Sequence, residues 1–504
     1  RAARARERAS PRMPARGQRA AAPGASFFEG HGSARARGGN TDRLDGRDAA
    51  VREEEAHPPP TSLTGRLSYL GPSLIVTGAV IGSGELVLTT SLGAVAGWSL
   101  LWWLVLSCWC KSLVQAELAR YTIVSGDTYL RAINRLPGRI WRISWPIWLG
   151  LIAYIPGTLG LGGIFGGTGE ALSFLLSNMD IELNGVWCTG IIAVVVAGIL
   201  STGSYKWIEV LMLPLVLLFT ITTLICSIAM QFTEYQVSPG ELLTGMTPDF
   251  SAFIAMAALA LSAYGYTGTT SGDRSAYTYW AIEKGYPSFL GSNREHPDWE
   301  KHARGWMKVL HTDVLFGLII VTCATVPFYV LGAGVLNQMG LEPEGSEAVI
   351  GTLSNIFTQT LGEWALWLFS IGAFVILFST VISGVGAGGR FIPDYLIEMQ
   401  FMDRSNLKLR KAIVRWYLGF LPFIAFFFYL MAPNFVILIM IGGLTSAIFL
   451  PIQSGATLWL QATNMDERIR PRMLTYYSLW LIFFFELTMA GFVIWFVVLP
   501  PLIN

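Results

Sequence analysis

The chain has 504 residues, 53% of them hydrophobic and only 14% charged, where a soluble domain carries about 25% charged residues. A mean hydropathy of +0.49, with 18 Trp and 29 Phe, is more than one soluble core can bury, so lipid must be the solvent for much of the chain. The net charge of +1 singles out no nucleic-acid partner, and Cys108, Cys110, Cys188, Cys226 and Cys323, each in or beside an apolar run, read as small buried residues and not as a disulfide framework.

Residues 1 to about 60 differ in kind from the rest. The first forty hold nine Arg against Glu7 and Glu29, among Ala, Gly and Pro. Such a composition buries no core, so a disordered tail is expected ahead of a membrane domain over 61–504. From Tyr69 onward, long apolar runs alternate with short polar loops. Eleven helices of bilayer length are predicted, near 69–95, 98–119, 143–172, 186–203, 207–230, 250–271, 308–334, 363–388, 411–431, 434–460 and 474–499. Basic residues gather in alternate loops. Arg131, Arg135, Arg139 and Arg142 follow the second helix, and Arg274, Lys284, Arg294, Lys301 and Arg304 the sixth. Arg404, Lys408, Arg410 and Lys411 follow the eighth, and Arg468, Arg470 and Arg472 the tenth. The loop after the fifth has only acids, Glu234, Glu241 and Asp249, as does the loop after the seventh, with Glu342, Glu344 and Glu347. The positive-inside rule then places the N-terminus in the cytoplasm and the C-terminus outside. The long inner loop 272–307 interleaves Tyr279, Trp280, Tyr286, Phe289 and Trp299 with charges, which suits an amphipathic segment at the interface.

Two helices are predicted to be broken. The first contains Ile81-Gly82-Ser83-Gly84-Glu85, and the sixth contains Ala263-Tyr264-Gly265-Tyr266-Thr267-Gly268. Breaks five helices apart mark corresponding positions in two five-helix repeats, about 67–230 and 250–460, with 474–499 as an extra helix. An odd number of helices per repeat inverts the second, and in secondary transporters of this plan the unwound segments meet at mid-membrane. Glu85 decides between this reading and simple close packing by glycine. An ionisable group at that depth is costly and marks function. A carboxylate beside exposed carbonyls is an oxygen-rich site for a hard cation. The candidate site is therefore Glu85 as metal ligand with Gly82, Ser83, Gly84, Tyr264, Gly265, Tyr266 and Thr267. Three further acids are weaker pathway candidates. Glu117 is more readily explained by an ion pair with Arg120. Glu170 either lines an entrance or is solvated, and Asp273 either lines the inner exit or pairs with Arg274. Glu486 reads as structural.

Gly71-Pro72-Ser73-Leu74-Ile75-Val76-Thr77 leading into Gly82-Ser83-Gly84-Glu85 resembles the first helix of the Nramp family of divalent-metal transporters. Gln115-Ala116-Glu117-Leu118-Ala119-Arg120-Tyr121 resembles its second helix, and Ser125-Gly126-Asp127-Thr128 the turn that follows. The resemblance runs from about Leu67 to Leu460 and implies an all-α, LeuT-like inverted-repeat fold, with the metal as substrate and no cofactor. It also exposes departures. The family's Asp-Pro-Gly-Asn stands here as Gly82-Ser83-Gly84-Glu85, and its Met-Pro-His as roughly Tyr264-Gly265-Tyr266. The third-helix acids are absent from Pro156 to Gly163. Loss of the thioether weakens selection for softer metals, and loss of the His and acids removes the basis for obligatory proton coupling. The pattern resembles the Nramp-related branch, part of which is implied to carry Mg²⁺, so Mg²⁺ and Mn²⁺ are both expected substrates. The alternative is an organic solute, for example an amino acid, held at the helix termini of the breaks. Glu85 would repel its carboxylate. An enzyme is not expected, because no HExxH, P-loop or nucleophile–base pair is found.

Overall fold

The computed structural model describes residues 57–202, 206–291, 293–343 and 348–500. The stretch expected to be a disordered tail lies outside the described residues up to position 56, as do Glu344 and Glu347 of the seventh loop. Its last residues are placed: the Trp306 indole donates to the His57 carbonyl at 3.0 Å.

Helix forms over all eleven apolar segments, because in lipid each segment must satisfy its own N–H and C=O groups. After the short α1 (Leu63–Leu67), the first span is split into α2 (Pro72–Val80), a π-helical turn over Gly84–Thr89, and α3 (Thr90–Ala96). The second span is α4 (Leu101–Ser125), stopped by Gly126 at φ +73°. Next come α5 (Tyr129–Ile133) and a hairpin of β1 (Arg139–Ile140) antiparallel to β2 (Ile143–Ser144), a pairing not expected from the apolar pattern. Spans three to five are α6 (Trp145–Ser177), α7 (Gly185–Ser201) and α8 (Lys206–Ala229). The loop helix α9 (Pro239–Gly245) opens on a Ser238/Glu241 capping box, whose bonds from Ser238 hold Glu241 below the usual carboxylate range.

The sixth span comprises α10 (Phe250–Ala255), α11 (Ala257–Tyr266) and α12 (Ser271–Glu283). After α13 (Tyr286–Phe289), the seventh is α14 (Trp299–Leu331); α15 (Asn337–Met339) and α16 (Val349–Leu361) lead to the eighth, α17 (Ala365–Glu398). The last three are α18 (Leu407–Met431), α19 (Phe435–Thr463) and α20 (Met473–Val493). Seven of the described helices are each long and apolar enough to cross a bilayer alone. The other four spans are the two broken ones, the second with its polar inner half, and the 17-residue α7.

Burial separates core from rim. α6, α7, α8, α18 and α20 expose Ile152, Ile155, Trp187, Val194, Ile221, Phe420, Phe427 and Leu481, as lipid-facing helices should. α4, α11, α14 and α17 bury most of their apolar residues; α6 packs on α17 and α19, and α11 on α19. Asp313 of α14 anchors the start of the first span, accepting from the N–H groups of Gly71 (3.1 Å) and Ser73 (2.9 Å) and from the Tyr277 hydroxyl (2.7 Å).

Two expectations are corrected. The sixth span does not unwind at Tyr264–Tyr266; helix continues through Tyr266 and the gap is Thr267–Thr270. Gly265 is there for packing, since a Cβ on it would stand 1.7 Å from the Gly443 carbonyl oxygen. Nor is 272–307 an interfacial amphipathic segment. Its first part is α12, and Arg274, Tyr277, Tyr279, Trp280, Tyr286 and Trp299 are buried: Arg274 pairs with Glu486, Tyr277 donates to Asp313 and Tyr279 to Asp394, and Tyr286 joins Phe289, Trp306 and Tyr69 in one aromatic cluster.

Candidate functional site

α2 ends where Ile81 turns extended (ψ 95°), and helical bonding resumes with Leu86 N–H donating to the Gly82 carbonyl at 2.9 Å. Only Ile81 and Gly82 are thus outside any helix, since Ser83 already has helical dihedrals (φ −62°, ψ −32°). Glycine is required here because other chain segments press on the break. A Cβ on Gly82 would lie 1.8 Å from Thr380 Oγ1, and one on Gly84 would lie 2.7 Å from the Tyr266 carbonyl oxygen. The second break turns at Gly268, φ +70°, a conformation that disfavours any side chain.

The two breaks meet at Glu85, which is fully buried. Its Oε2 accepts from Gly82 N–H (3.2 Å), and its Oε1 from Gly268 N–H (3.2 Å) and the Thr325 hydroxyl of α14 (3.4 Å). Thr89 and Thr267 hydroxyls add a second link, 3.1 Å apart. Both carboxylate oxygens are therefore occupied by the protein's own donors. On the far side of the second break, fully buried Lys111 of α4 donates to the carbonyls of Tyr264 and Thr267. Lys111 is not among the residues singled out from the sequence, although an ionisable residue in the middle of a span is itself a signal.

A cavity of about 340 Å³ opens beneath the breaks. Ser83, Gly84, Tyr266, Thr270, Ser271 and Asp273 line its inner end. From there it runs past Thr380, Ser383, Ser446 and Gln453 to Tyr129, Gly150 and Tyr395, on the face that carries the basic loops. Among the described residues, its lining includes one carboxylate, Asp273, and no Lys, Arg or His. Asp273 closes a capping box at the start of α12: Oδ2 accepts from Thr270 N–H (3.0 Å) and the Thr270 hydroxyl (2.7 Å). That leaves Oδ1 available, at the helix end where the dipole favours negative charge. Gln453 gives its amide protons to the Ser271 carbonyl (2.7 Å) and the Ser275 hydroxyl (2.9 Å), and its buried Oε1 has no hydrogen-bond partner.

Of the residues expected from the sequence, Ser83, Gly84, Tyr266 and Asp273 thus border the cavity. Gly82, Glu85 and Thr267 lie behind its wall. Tyr264 and Gly265 are in helix, the Tyr264 ring packed 5.2 Å from Trp103 and 5.8 Å from Phe485. Glu117 is paired with Arg120 (2.8 Å) and accepts from Gln461 (2.8 Å). Glu170 accepts from the Tyr429 hydroxyl at 3.0 Å. Arg274 is bound not to Asp273 but to Glu486 (2.7 Å), both fully buried. Among the described residues, no three His, Cys, Asp or Glu side chains converge as a metal cage.

Comparison with known proteins agrees with this plan. The sequence model of the family described as natural resistance-associated macrophage protein-like, Nramp, matches residues 73–497. The divalent metal cation transporter MntH of Mycobacterium tuberculosis is 25% identical over 369 residues, 72% of this chain and 78% of that protein. Among solved structures, the Eremococcus coleocola manganese transporter is similar at TM-score 0.56 and 16% identity, covering 88% of this chain and 97% of its own. MhsT in complex with L-phenylalanine is similar at TM-score 0.52 and 15% identity, covering 86% and 100%. The fold these share is LeuT-like.

Proposed function

The chain belongs to the Nramp family, and from that premise we propose that it carries divalent metal cations across a membrane by alternating access at the two helix breaks. The observation that carries this reading is the end of the cavity beneath the breaks: within a mostly apolar lining it gathers the oxygen groups of Ser83, Thr270, Ser271 and Asp273, and among the described residues Asp273 is the one carboxylate of the lining, which has no cationic side chain. Hard divalent cations take oxygen ligands. With one carboxylate in place of a multi-acid cage, such an ion keeps much of its water, as Mg²⁺ does readily, and Mg²⁺ and Mn²⁺ remain the two working substrates. Asp273 Oδ1 is the charged ligand, aided by the hydroxyls of Ser83 and Thr270 and by Gln453 Oε1. Glu85 acts from behind the wall. It holds the first break to the second and becomes a ligand only if Gly82 or Gly268 releases it as the breaks separate. Obligatory proton coupling is not part of this reading, because no His or acid pair stands beside the cargo.

The positive-inside reading of the basic loops supports a cytoplasmic cavity mouth, and with it an inward-facing conformation. Uptake of Mg²⁺ and Mn²⁺ into liposomes, followed with an internal pH dye, tests the proposal. Wild-type uptake that Asp273→Asn abolishes supports it, and wild type that moves neither ion overturns it.

A second reading has an observation of its own. Tyr129, Tyr154, Trp280, Phe391, Tyr395, Tyr417 and Phe449 also line the cavity, and its volume would admit a small organic solute with an aromatic or cationic face. Saturable wild-type uptake of such a solute, with no divalent flux, would favour it.

A further inference from the structure

One peptide unit in the second break carries a charged side chain at each end. Its carbonyl, on Thr267, accepts from the Lys111 ammonium. Its N–H, on Gly268, donates to Glu85 Oε1 at 3.2 Å. The same ammonium reaches the Tyr264 carbonyl and lies 4.8 Å from the centre of the Tyr264 ring. Two carbonyls and an aromatic face are ligands for a cation. They stand at the C-terminal end of α11, where the helix dipole is negative and the last carbonyls have no partner within the helix. Lys111 and Glu85 are both fully buried, and neither lines the cavity. The Ser107 hydroxyl approaches the same two carbonyls at 3.3 and 3.4 Å, but a neutral group cannot offset Glu85.

We propose that Lys111 is a resident cation: its ammonium fills a cation site formed by the Tyr264 and Thr267 carbonyls and, through the shared peptide unit, balances Glu85. The two breaks are then held together with no dissociable monovalent co-ion. Within this charge-neutral pair Glu85 attracts no small cation of its own, so the charge that a cargo meets is that of Asp273. An ammonium attached to α4 by four methylenes also joins the second span to the breaks in the first and sixth, which a free ion would do only while bound. The inference rests on reading the breaks as the transport site, and its test contains no cargo.

Removing the side chain should leave a vacancy for a small cation of the same chemistry. Purified wild type and Lys111→Ala are melted in a choline background, with methylammonium, Na⁺ or K⁺ added. Wild type should be indifferent to all three. Lys111→Ala should melt lower and recover at least half of the loss, saturably, with methylammonium or an alkali ion, as a ligand that binds only the folded state must do. Adding Glu85→Gln to Lys111→Ala should abolish most of that response. A folded Lys111→Ala protein that no small cation stabilises would overturn the proposal, as would a wild type that shifts as much as the variant. Should Lys111→Ala not yield folded protein, Lys111→Met is compared with Lys111→Met/Glu85→Gln. The double variant should melt higher, because the unbalanced carboxylate is gone, and one that melts no higher overturns the pairing. Failure of the transport reading would appear separately, as absent flux through wild type.

Discussion

A single added methyl group tests the first break. Gly82→Ala would set a Cβ 1.8 Å from Thr380 Oγ1, and overpacking of this kind costs about 1–3 kcal/mol. Gly82→Ala should therefore lower the melting temperature, and Thr380→Ala added to it should restore most of the loss. Equal melting of the single and double variants would show that the contact does not matter. Asp273→Asn tests the cavity. The amide keeps an acceptor for the Thr270 cap, so the fold should persist. Flux should fall by an order of magnitude or more, in line with loss of a charged partner worth about 1.5–3 kcal/mol. At this scale the sequence is informative where a residue type has one meaning and ambiguous where it has two. The position of Glu85 at the breaks is legible, because burying an acid at mid-membrane is too costly to persist without a role, whereas the Gly82 and Gly268 N–H groups that hold its carboxylate outside the cavity lining leave no mark in the sequence pattern. Gly265 is not, because glycine serves an unwound turn and a close contact alike, and only the Gly443 backbone lying against it decides. Lys111 is easily missed within the aromatic and cysteine-rich part of the second span, where its snorkelling length hides how deep the ammonium sits.

Among elements, the join between α12 and α20 has the most exposed energetics. Arg274 and Glu486 form a fully buried ion pair, yet Arg274 Nε and Nη1 and Glu486 Oε2 have no hydrogen-bond partner. Breaking such a pair leaves an uncompensated charge and costs about 3–5 kcal/mol, while replacing both partners with apolar groups is often neutral. Glu486→Leu alone should destabilise the protein strongly, and Arg274→Met/Glu486→Leu should melt close to wild type; equal losses in single and double variants would contradict the coupling. This pair also shows why residues 272–307 look like an exposed loop in the sequence. Arg274 counts there as a loop charge, whereas its guanidinium is inside the protein, held by an acid more than two hundred positions away (212). Span number and order are legible because hydrocarbon thickness sets helix length. The exact unwound residues are not, because they depend on contacts between α11, α17 and α19.

For the whole molecule, the alternation of basic and acidic loops is the part of the architecture that needs no side-chain detail. Under the proposed positive-inside orientation, the cavity end at Tyr129 and Tyr395 faces the cytoplasm. A C-terminal epitope tag should then be reached from outside intact cells, and a tag in the 402–406 loop only after permeabilisation; the reverse pattern would invert the protein and make the conformation outward-facing. The central claim is that a divalent cation passes through the cavity below the two breaks and is met there by Asp273. Its most direct test is initial Mg²⁺ and Mn²⁺ flux into liposomes containing wild type or Asp273→Asn, each confirmed as folded by its melting curve. Saturable wild-type flux of at least one of the ions is predicted, with near-background flux in the variant. Equal flux in the two proteins, or none in folded wild type, would contradict the claim.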